Sequence, residues 1–136
     1  MRTAIISDIH GNLEALETVL ADIRKQQVDQ VVSLGDNIGY GADAEAVLAL
    51  LMSEKIASVL GNHEWACINE KVYRWYIKDV KKSLDITRSM LSETSIACLR
   101  RMPMHLKTPA GYFVHGFPPD SVRHYLHQAD NDQVIR

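Results

Sequence analysis

Three polar segments in the first half of the chain each follow an apolar run and carry side chains that bind divalent metal ions. Their residues are Ser-Asp-Ile-His-Gly-Asn at 7–12, Gly-Asp-Asn at 35–37 and Gly-Asn-His-Glu at 61–64. Carboxylates, an amide carbonyl and imidazoles suit two ions of the Mn, Fe or Zn kind, and one shared carboxylate would hold the ions as a pair. Asp8 and His10 alone could be ordinary turn and loop residues, and Gly35-Asp36 is also a common turn signal. The three segments together predict a two-metal site.

Short apolar runs precede these segments and predict the strands that position them. The runs cover residues 3–7, 30–34 and 56–60. Two helices are predicted between the strands, one capped by Asn12 and one over 43–52. The apolar stripe of the first helix consists of Leu13, Leu16, Val19, Leu20 and Ile23. The repeated order of strand, polar loop and helix predicts an α/β fold with parallel strands, which places all three segments at the carboxyl edge of one sheet.

The second half of the chain is mostly helical in pattern and then becomes strand-like. Residues from 70 to about 102 predict two helices, with a broken charged stretch over 78–82. Residues 104–106 and 112–115 flank the turn-like sequence Thr-Pro-Ala-Gly at 108–111 and predict a hairpin. His115 then lies at the end of the second hairpin strand.

Length and composition predict one domain over residues 1–136. Hydrophobic residues make up 46% and charged residues 24%, a balance typical of a soluble globular protein. The formal charge is -2 and no basic block is present, so nucleic acid is not an expected partner. No apolar run reaches the roughly 18–20 residues of a membrane span, and a cleaved signal peptide would remove the Asp8 segment, so a cytoplasmic protein is expected. Cys67 and Cys98 lack CxxC spacing and are expected to be free thiols.

The order of these segments resembles the calcineurin-like metallophosphoesterase superfamily. The signature of that superfamily is D-x-H, then G-D, then G-N-H-[DE], then an isolated H, then G-H-x-H, and the first four parts are present here. The resemblance implies a sandwich of two sheets flanked by helices. It also implies that Asp8 and His10 hold a first ion, that Asp36 bridges the two ions, and that Asn62 and His115 hold the second.

The activity that the resemblance implies is metal-dependent hydrolysis of phosphomonoesters or phosphodiesters. Two divalent ions, which could be Mn, Fe, Ni or Zn, would bind phosphate oxygens and lower the pKa of a water, whose hydroxide attacks phosphorus in line. His63 would stay off the metals, contact the phosphate and protonate the leaving group. The expected partner is a phosphate-ester small molecule or a phosphorylated substrate.

Two departures from the family pattern bear on these expectations. Tyr40 stands where the serine/threonine protein phosphatases have the arginine of GDxxDRG, so a small prokaryotic-type phosphoesterase is favoured over a protein phosphatase. No G-H-x-H follows His115; His124 and His127 lack its glycine and spacing, and are expected on a loop or helix surface, with the edge of the site as the alternative. The chain is therefore expected to be truncated before the last family motif. A homo-oligomer or an exchanged segment would cover the strand edges left open.

A non-catalytic binding or scaffold protein on the same fold is the alternative function, and the missing G-H-x-H favours it. Intact His63 favours the enzyme, because a scaffold has no physical need for a proton donor beside a full set of ligands. A nuclease acting on DNA ends ranks last, since the sequence contains no basic groove. Roles stay open for Glu64, as an orienting or helix-capping residue, and for Tyr40, Trp65 and residues 117–120, as substrate walls or plain packing.

Overall fold

Strands β1 (Thr3–Ile6), β2 (Gln30–Ser33) and β3 (Ala57–Ser58) form a parallel sheet in the order β1-β2-β3. The structure is a computed structural model that describes residues 1–118, 121–124 and 126–128. Strand β3 is shorter than the predicted 56–60, because the chain turns away from β2 and the N–H of Leu60 donates to the carbonyl of Pro103. The parallel βαβαβ start that the sequence predicts is confirmed.

Helices α1 (Leu13–Lys25) and α2 (Ala44–Ser53) connect these strands. The side chain of Asn12 caps α1 by accepting the N–H of Ala15, as its place before the apolar stripe predicts. The buried residues that α1 and α2 share are Leu16, Leu20, Val47 and Leu51. Val19, a member of the predicted stripe, is 43% exposed and does not belong to this core.

Four helices lie between β3 and the hairpin: α3 (Asn62–Ile68), α4 (Glu70–Tyr73), α5 (Lys78–Met90) and α6 (Glu93–Leu99). The prediction of two helices over 70–102 is wrong, because this region contains three. The side chain of Asn69 caps α4 and that of Ser92 caps α6, so two short helices begin where the periodicity gave no clear boundary. The charged stretch 78–82 is not a break but the beginning of α5.

Strands β4 (His105–Thr108) and β5 (Gly111–Val114) form the predicted hairpin as a separate antiparallel sheet. A short 3-10 helix, Leu126–Gln128, follows. Residues 119 and 120 of the proposed substrate wall lie outside the described residues. Within the described ranges, no helix combines the length and the apolar character needed to cross a membrane.

The helices that surround the site share a second core that links the loop after β2 to α3. Its buried members are Ile38, Ala44, Leu48, Cys67 and Leu99. A third cluster of Ala66, Val72 and Leu84 joins α3 to α4 and α5. Cys67 and Cys98 are both free thiols, as expected. Helix α3 is therefore held on two sides by apolar contacts, which fixes the position of the side chains at its start.

Candidate metal centre

The loops that follow β1 and β2 run side by side beyond the ends of their strands. The N–H groups of Asp8, His10 and Gly11 donate to the carbonyls of Gly35, Asp36 and Asn37, at 3.0, 2.9 and 2.8 Å. These bonds continue the parallel pairing of β1 with β2. The first and second polar segments are therefore held together by their backbones, which brings Asp8 and His10 beside Asp36.

The backbone at the three ligand candidates of these loops is left-handed. The φ angles are 55° at Asp8, 49° at His10 and 52° at Asp36. A positive φ is uncommon for residues other than glycine, and aspartate tolerates it better than most. Such conformations persist only where the surrounding structure fixes them, and they concentrate at functional sites.

Asp36 lies at the centre of the cluster. Its side chain is almost fully buried, and its Oδ2 lies 3.9 Å from His10 Nε2 and 3.5 Å from His115 Nε2. Its Oδ1 accepts the backbone N–H of His63 at 2.9 Å. Asp36 belongs to two sets of side chains, and within each set the possible ligand atoms all lie within 4.8 Å of one another. One set contains His10 and His63, and the other contains Asp8 and His115. One carboxylate thus reaches both halves of the cluster, which is the arrangement that a bridging ligand requires.

Asn62 and His115 present acceptor atoms to each other. His115 Nδ1 lies 2.8 Å from the carbonyl oxygen of Leu34, which can only accept a hydrogen bond, so Nδ1 carries a hydrogen. In the neutral ring the other nitrogen, Nε2, then has a lone pair, and it lies 2.8 Å from Asn62 Oδ1. Lone pairs of His115, Asn62 and Asp36 thus converge on one region. A divalent cation fits this donor set, because it satisfies acceptors that cannot satisfy one another.

His63 lies at the beginning of α3, against the loop after β2. His63 is only 3% exposed, and its Nδ1 has no hydrogen-bond partner among the described residues. A Cβ atom at Gly39 would lie 2.3 Å from that nitrogen, so only glycine leaves room for the ring. Burial lowers the pKa of His63, with smaller contributions from His10 and His115, while Asp36 opposes the shift. His63 is close enough to His10 and Asp36 to share an ion with them, so its position alone does not separate a ligand from a proton donor.

Glu64 connects the second and third polar segments. It is fully buried, and its Oε2 accepts the N–H groups of Asp36 and Gly61 at 2.8 and 2.9 Å. Its Oε1 accepts those of Asn37 and Ile38 at 2.6 and 3.2 Å. Burial and the nearby Asp36 carboxylate raise the pKa of Glu64, and the N–H groups of residues 36–38 oppose that rise. Glu64 therefore caps α3, as one sequence interpretation had it, and also holds the loop that carries Asp36.

Aromatic rings border the cluster on the side of α5. The ring of Tyr40 lies 4.9 Å from that of His10 and 4.6 Å from that of His63, between centroids, and Tyr40 is 60% exposed. Its backbone is left-handed, with φ 61°, and its N–H donates to Ser83 Oγ at 2.9 Å. On another side, Tyr76 Oη accepts a hydrogen bond from Asn62 Nδ2 at 2.8 Å. An exposed ring beside the half-buried His10 and the buried His63 can act as the wall of a substrate opening.

The other residues considered as substrate walls or as the edge of the site make different contacts. Trp65 packs against Trp75, with ring centroids 5.8 Å apart, and belongs to the cluster around Val72. Phe117 packs against His124 at 5.3 Å. His127 is exposed in the 3-10 helix, a surface position as expected, whereas His124 is half-buried in a loop and its Nε2 is buried.

Sequence reasoning missed the side chains that support the ligands from a distance. Tyr76 and Ser83 come from the segment around α4 and α5, and nothing in the sequence marks their contacts with Asn62 and Tyr40. Asn37 is fully buried; its Oδ1 accepts from Ser33 Oγ and its Nδ2 donates to Ser58 Oγ. Its place directly after Gly35-Asp36 was the available signal, since a buried amide there can connect two strand ends.

The family model for calcineurin-like phosphoesterases matches residues 1–135, and the chain belongs to this family. An uncharacterized protein of Methanocaldococcus jannaschii is 30% identical over 119 residues, which are 85% of this chain and 49% of that protein. Serine/threonine-protein phosphatase 2 of Salmonella typhimurium is 28% identical over 142 aligned positions, covering 96% of this chain and 65% of that protein. The crystal structure of a metallophosphoesterase from Sphaerobacter thermophilus matches with a TM-score of 0.75 and 35% identity, covering 93% of this chain and 51% of that one.

These relatives confirm the predicted metallophosphoesterase fold. The family consists of phosphoesterases that act on phosphate esters with divalent metals, and the structure contains His and Asp groups that could hold such ions. The chain spans 49–65% of the length of the relatives named above. Membership of the family and its fold are therefore established for this chain, whereas its activity, its metal ions and its substrate are matters for proposal.

Proposed function

We propose that this chain, acting as a single domain, hydrolyses phosphomonoesters or phosphodiesters with the help of two divalent cations. Asp8, His10, Asp36, Asn62 and His115 would hold the cations, with Mn, Fe, Ni and Zn all compatible with these oxygen and nitrogen donors. When bound, the cations would polarise the phosphate and lower the pKa of a water to supply the nucleophile. The observation that carries the proposal is the central place of the Asp36 carboxylate, which is shared by both groups of ligand atoms.

The protein's own contribution begins with a site that is held in place before substrate arrives. Backbone bonds between the first two loops fix Asp8 and His10 relative to Asp36, and Glu64 ties the Asp36 loop to the start of α3. Preorganised groups of this kind avoid reorganisation during the reaction, which is the main way in which a protein stabilises developing charge.

We assign the proton donor role to His63. Burial keeps the pKa of this ring low, which favours the neutral form. A phosphate dianion next to the ring would raise that pKa by stabilising the charged form, so the ring would take up a proton as substrate binds and release it to the leaving oxygen. The exposed ring of Tyr40 borders both His63 and His10 and would form one wall of the substrate opening.

The experiment that tests this function is hydrolysis of bis-p-nitrophenyl phosphate and p-nitrophenyl phosphate by the 136-residue chain, with and without added Mn²⁺. The two esters separate diesterase from monoesterase activity. Asp36→Asn is the matched control for contaminating enzymes, because it keeps the size of the side chain and removes its charge. Mn²⁺-dependent turnover that D36N abolishes supports the proposal. Absence of turnover on both esters, with metal bound, would instead support a binding or scaffold protein on this fold.

A further inference from the structure

A hollow lies between α5 and the loop that follows β2, next to the candidate metal centre. Helix α5 contributes five of its walls, at the spacing of one helix face. These five residues are Asp79, Lys82, Ser83, Ile86 and Thr87, and the loop adds Tyr40 and Gly41. In the described part of the chain, the proposed metal ligands are not among the walls. The hollow is therefore a separate compartment beside the metal centre.

The side chain of Tyr40 connects this hollow to the metal centre. Its ring centroid lies 4.9 Å from that of His10 and 4.6 Å from that of His63. Its N–H donates to Ser83 Oγ at 2.9 Å, and its backbone is left-handed, with φ 61°. Helix α5 thus holds the residue that carries the ring. A group bound in the hollow would be separated from a phosphate at the cations by about the width of this one side chain.

The walls of the hollow have the chemistry of a site for a flat aromatic group. Tyr40 is 60% exposed and Ile86 is 52% exposed, so an aromatic ring and an aliphatic side chain are both accessible there. Flat rings stack on aromatic side chains and bury apolar area against aliphatic ones. Lys82 and Asp79 are exposed and belong to no ion pair among the described residues. Their ammonium and carboxylate groups can donate and accept hydrogen bonds at the edge of a ring.

The size of the hollow suits one ring system. Its volume is about 210 Å³, which is smaller than the roughly 300–1,000 Å³ of a pocket that encloses a whole drug-sized molecule. Because the proposed metal ligands do not line it, a ring bound there needs a spacer to reach a phosphate at the cations. A nucleoside phosphate has this construction, since the base carries hydrogen-bond donors and acceptors and the ribose separates it from the phosphate.

We propose that this hollow is a subsite for the base of a nucleoside phosphate ester whose phosphate lies at the metal centre. The base would stack on Tyr40 and pack against Ile86, while Lys82 and Asp79 form hydrogen bonds with its edge. The inference rests on the proposed function and deepens it by naming the group esterified to the phosphate. Stacking of a base on an aromatic side chain typically changes affinity by about 5–140-fold.

The test compares adenosine monophosphate with the ribose phosphate that remains when its base is replaced by a hydroxyl. Both esters release a primary alcohol, so the ratio of their kcat/KM values with Mn²⁺, measured by phosphate release, reports the contribution of the base. We expect a ratio of about 5 or more for the unaltered chain. Tyr40→Leu removes the ring and should bring the ratio close to unity. Tyr40→Phe keeps the ring and should keep the ratio.

A second pair of variants tests the opposite wall without altering a neighbour of the metal centre. Ile86→Ser removes the aliphatic surface from the hollow and should lower the ratio. Ile77→Ser is the matched control, because Ile77 is 71% exposed just before the first turn of α5 and is not one of the walls. A ratio cancels any change in the metal centre that affects both esters equally. If Y40L does not fold, this pair still carries the test, since Ile86 is exposed.

Two results would overturn the inference when the chain is active. One is a ratio close to unity for the unaltered chain, and the other is a ratio that Y40L and I86S leave unchanged. Benzyl phosphate and cyclohexylmethyl phosphate show whether the hollow takes a simple aromatic group without a spacer. A preference for the benzyl ester that depends on Tyr40 and Ile86, with no preference for the base, would overturn the nucleoside assignment.

A chain that hydrolyses no ester would refute the proposed activity and leave the subsite open to a direct test. The two dissociation constants, measured by isothermal titration calorimetry with Mn²⁺, then take the place of kcat/KM. Tighter binding of the nucleotide that Y40L and I86S abolish, and that Y40F and I77S retain, would support the subsite. Equal dissociation constants, or no binding of either compound, would overturn it.

Discussion

Replacement of Glu64 by glutamine tests how the candidate site is held together. The carboxylate accepts four backbone N–H groups, two on each oxygen, from Gly61 and from residues 36–38. Glutamine has nearly the same shape but replaces one oxygen by an NH₂ group. Whichever way the amide faces, two of the four N–H groups lose their acceptor and meet another donor.

The size of the effect follows from that count. A buried N–H group left without a partner costs about 1–3 kcal/mol, so two such groups cost about 2–6 kcal/mol. The neutral amide also avoids burial of a charge, the effect that raises the pKa of Glu64, and this relief offsets part of the loss. We therefore expect Glu64→Gln to lower the free energy of unfolding by about 2 kcal/mol or more, a large share of the about 5–15 kcal/mol of an ordinary domain.

Urea denaturation of metal-free protein measures this loss directly. The midpoint should fall while the dependence on urea concentration stays constant, since the native surface is unchanged. Glu17→Gln is the control, because Glu17 is exposed on α1 and its replacement makes the same chemical change without burial. If E64Q leaves the free energy of unfolding unchanged or raises it, the reasoning is refuted. The gain from no longer burying a charge would then equal or exceed the cost of leaving two N–H groups without an acceptor.

Three further predictions concern the metal centre and the pH dependence of stability. Asp36→Asn should reduce turnover more than any other single ligand change and lower bound Mn²⁺, measured by nitrophenyl ester hydrolysis and elemental analysis; wild-type turnover and metal content would contradict a shared carboxylate. His63→Ala should reduce turnover while both ions stay bound, whereas loss of metal would identify His63 as a ligand. The hydrogen bond from the Ser92 N–H lowers the pKa of Glu45 below its ordinary value of 4.5. The ionised Glu45 carboxylate therefore contributes its full stabilisation above pH 4.5, and this stabilisation is lost as the pH falls through the lower pKa of the folded state. Glu45→Gln should make the free energy of unfolding, measured by urea denaturation, depend less on pH on the acid side. An unaltered pH dependence would exclude this contribution.

The parts of the fold that the sequence predicts are those with a strong periodic signal. Helix α1 has an apolar stripe and a capping Asn12, and the strands β1 and β2 are β-branched runs that end at glycine or aspartate segments. Helices α4 and α6 are too short for a period to appear, and the caps at Asn69 and Ser92 decide where they begin. Their boundaries depend on single hydrogen bonds, which a pattern of apolar residues does not record.

The candidate site also contains residues that the sequence predicts and residues that it does not. Its motif residues could be placed together from the sequence, because parallel strands present their carboxyl ends at one edge. Tyr76 and Ser83 could not, since their contacts with Asn62 and Tyr40 depend on how α4 and α5 fold back over the sheet edge. An aromatic hydroxyl or a serine in a helical region gives no sign of its partner until the tertiary structure is known.

The left-handed residues of the site connect its stability to its chemistry. Asp8, His10, Asp36 and Tyr40 have φ angles from 49° to 61°, and these four side chains lie together around the proposed cations. At about 1 kcal/mol or more for each such residue, the strain approaches the stability of a marginal domain. It can persist only because backbone bonds between the loops, the carboxylate of Glu64 and the hydroxyl of Ser83 hold these positions from outside. The groups that support the loops are therefore as necessary to a preformed metal centre as the ligands themselves, although none of them would touch an ion.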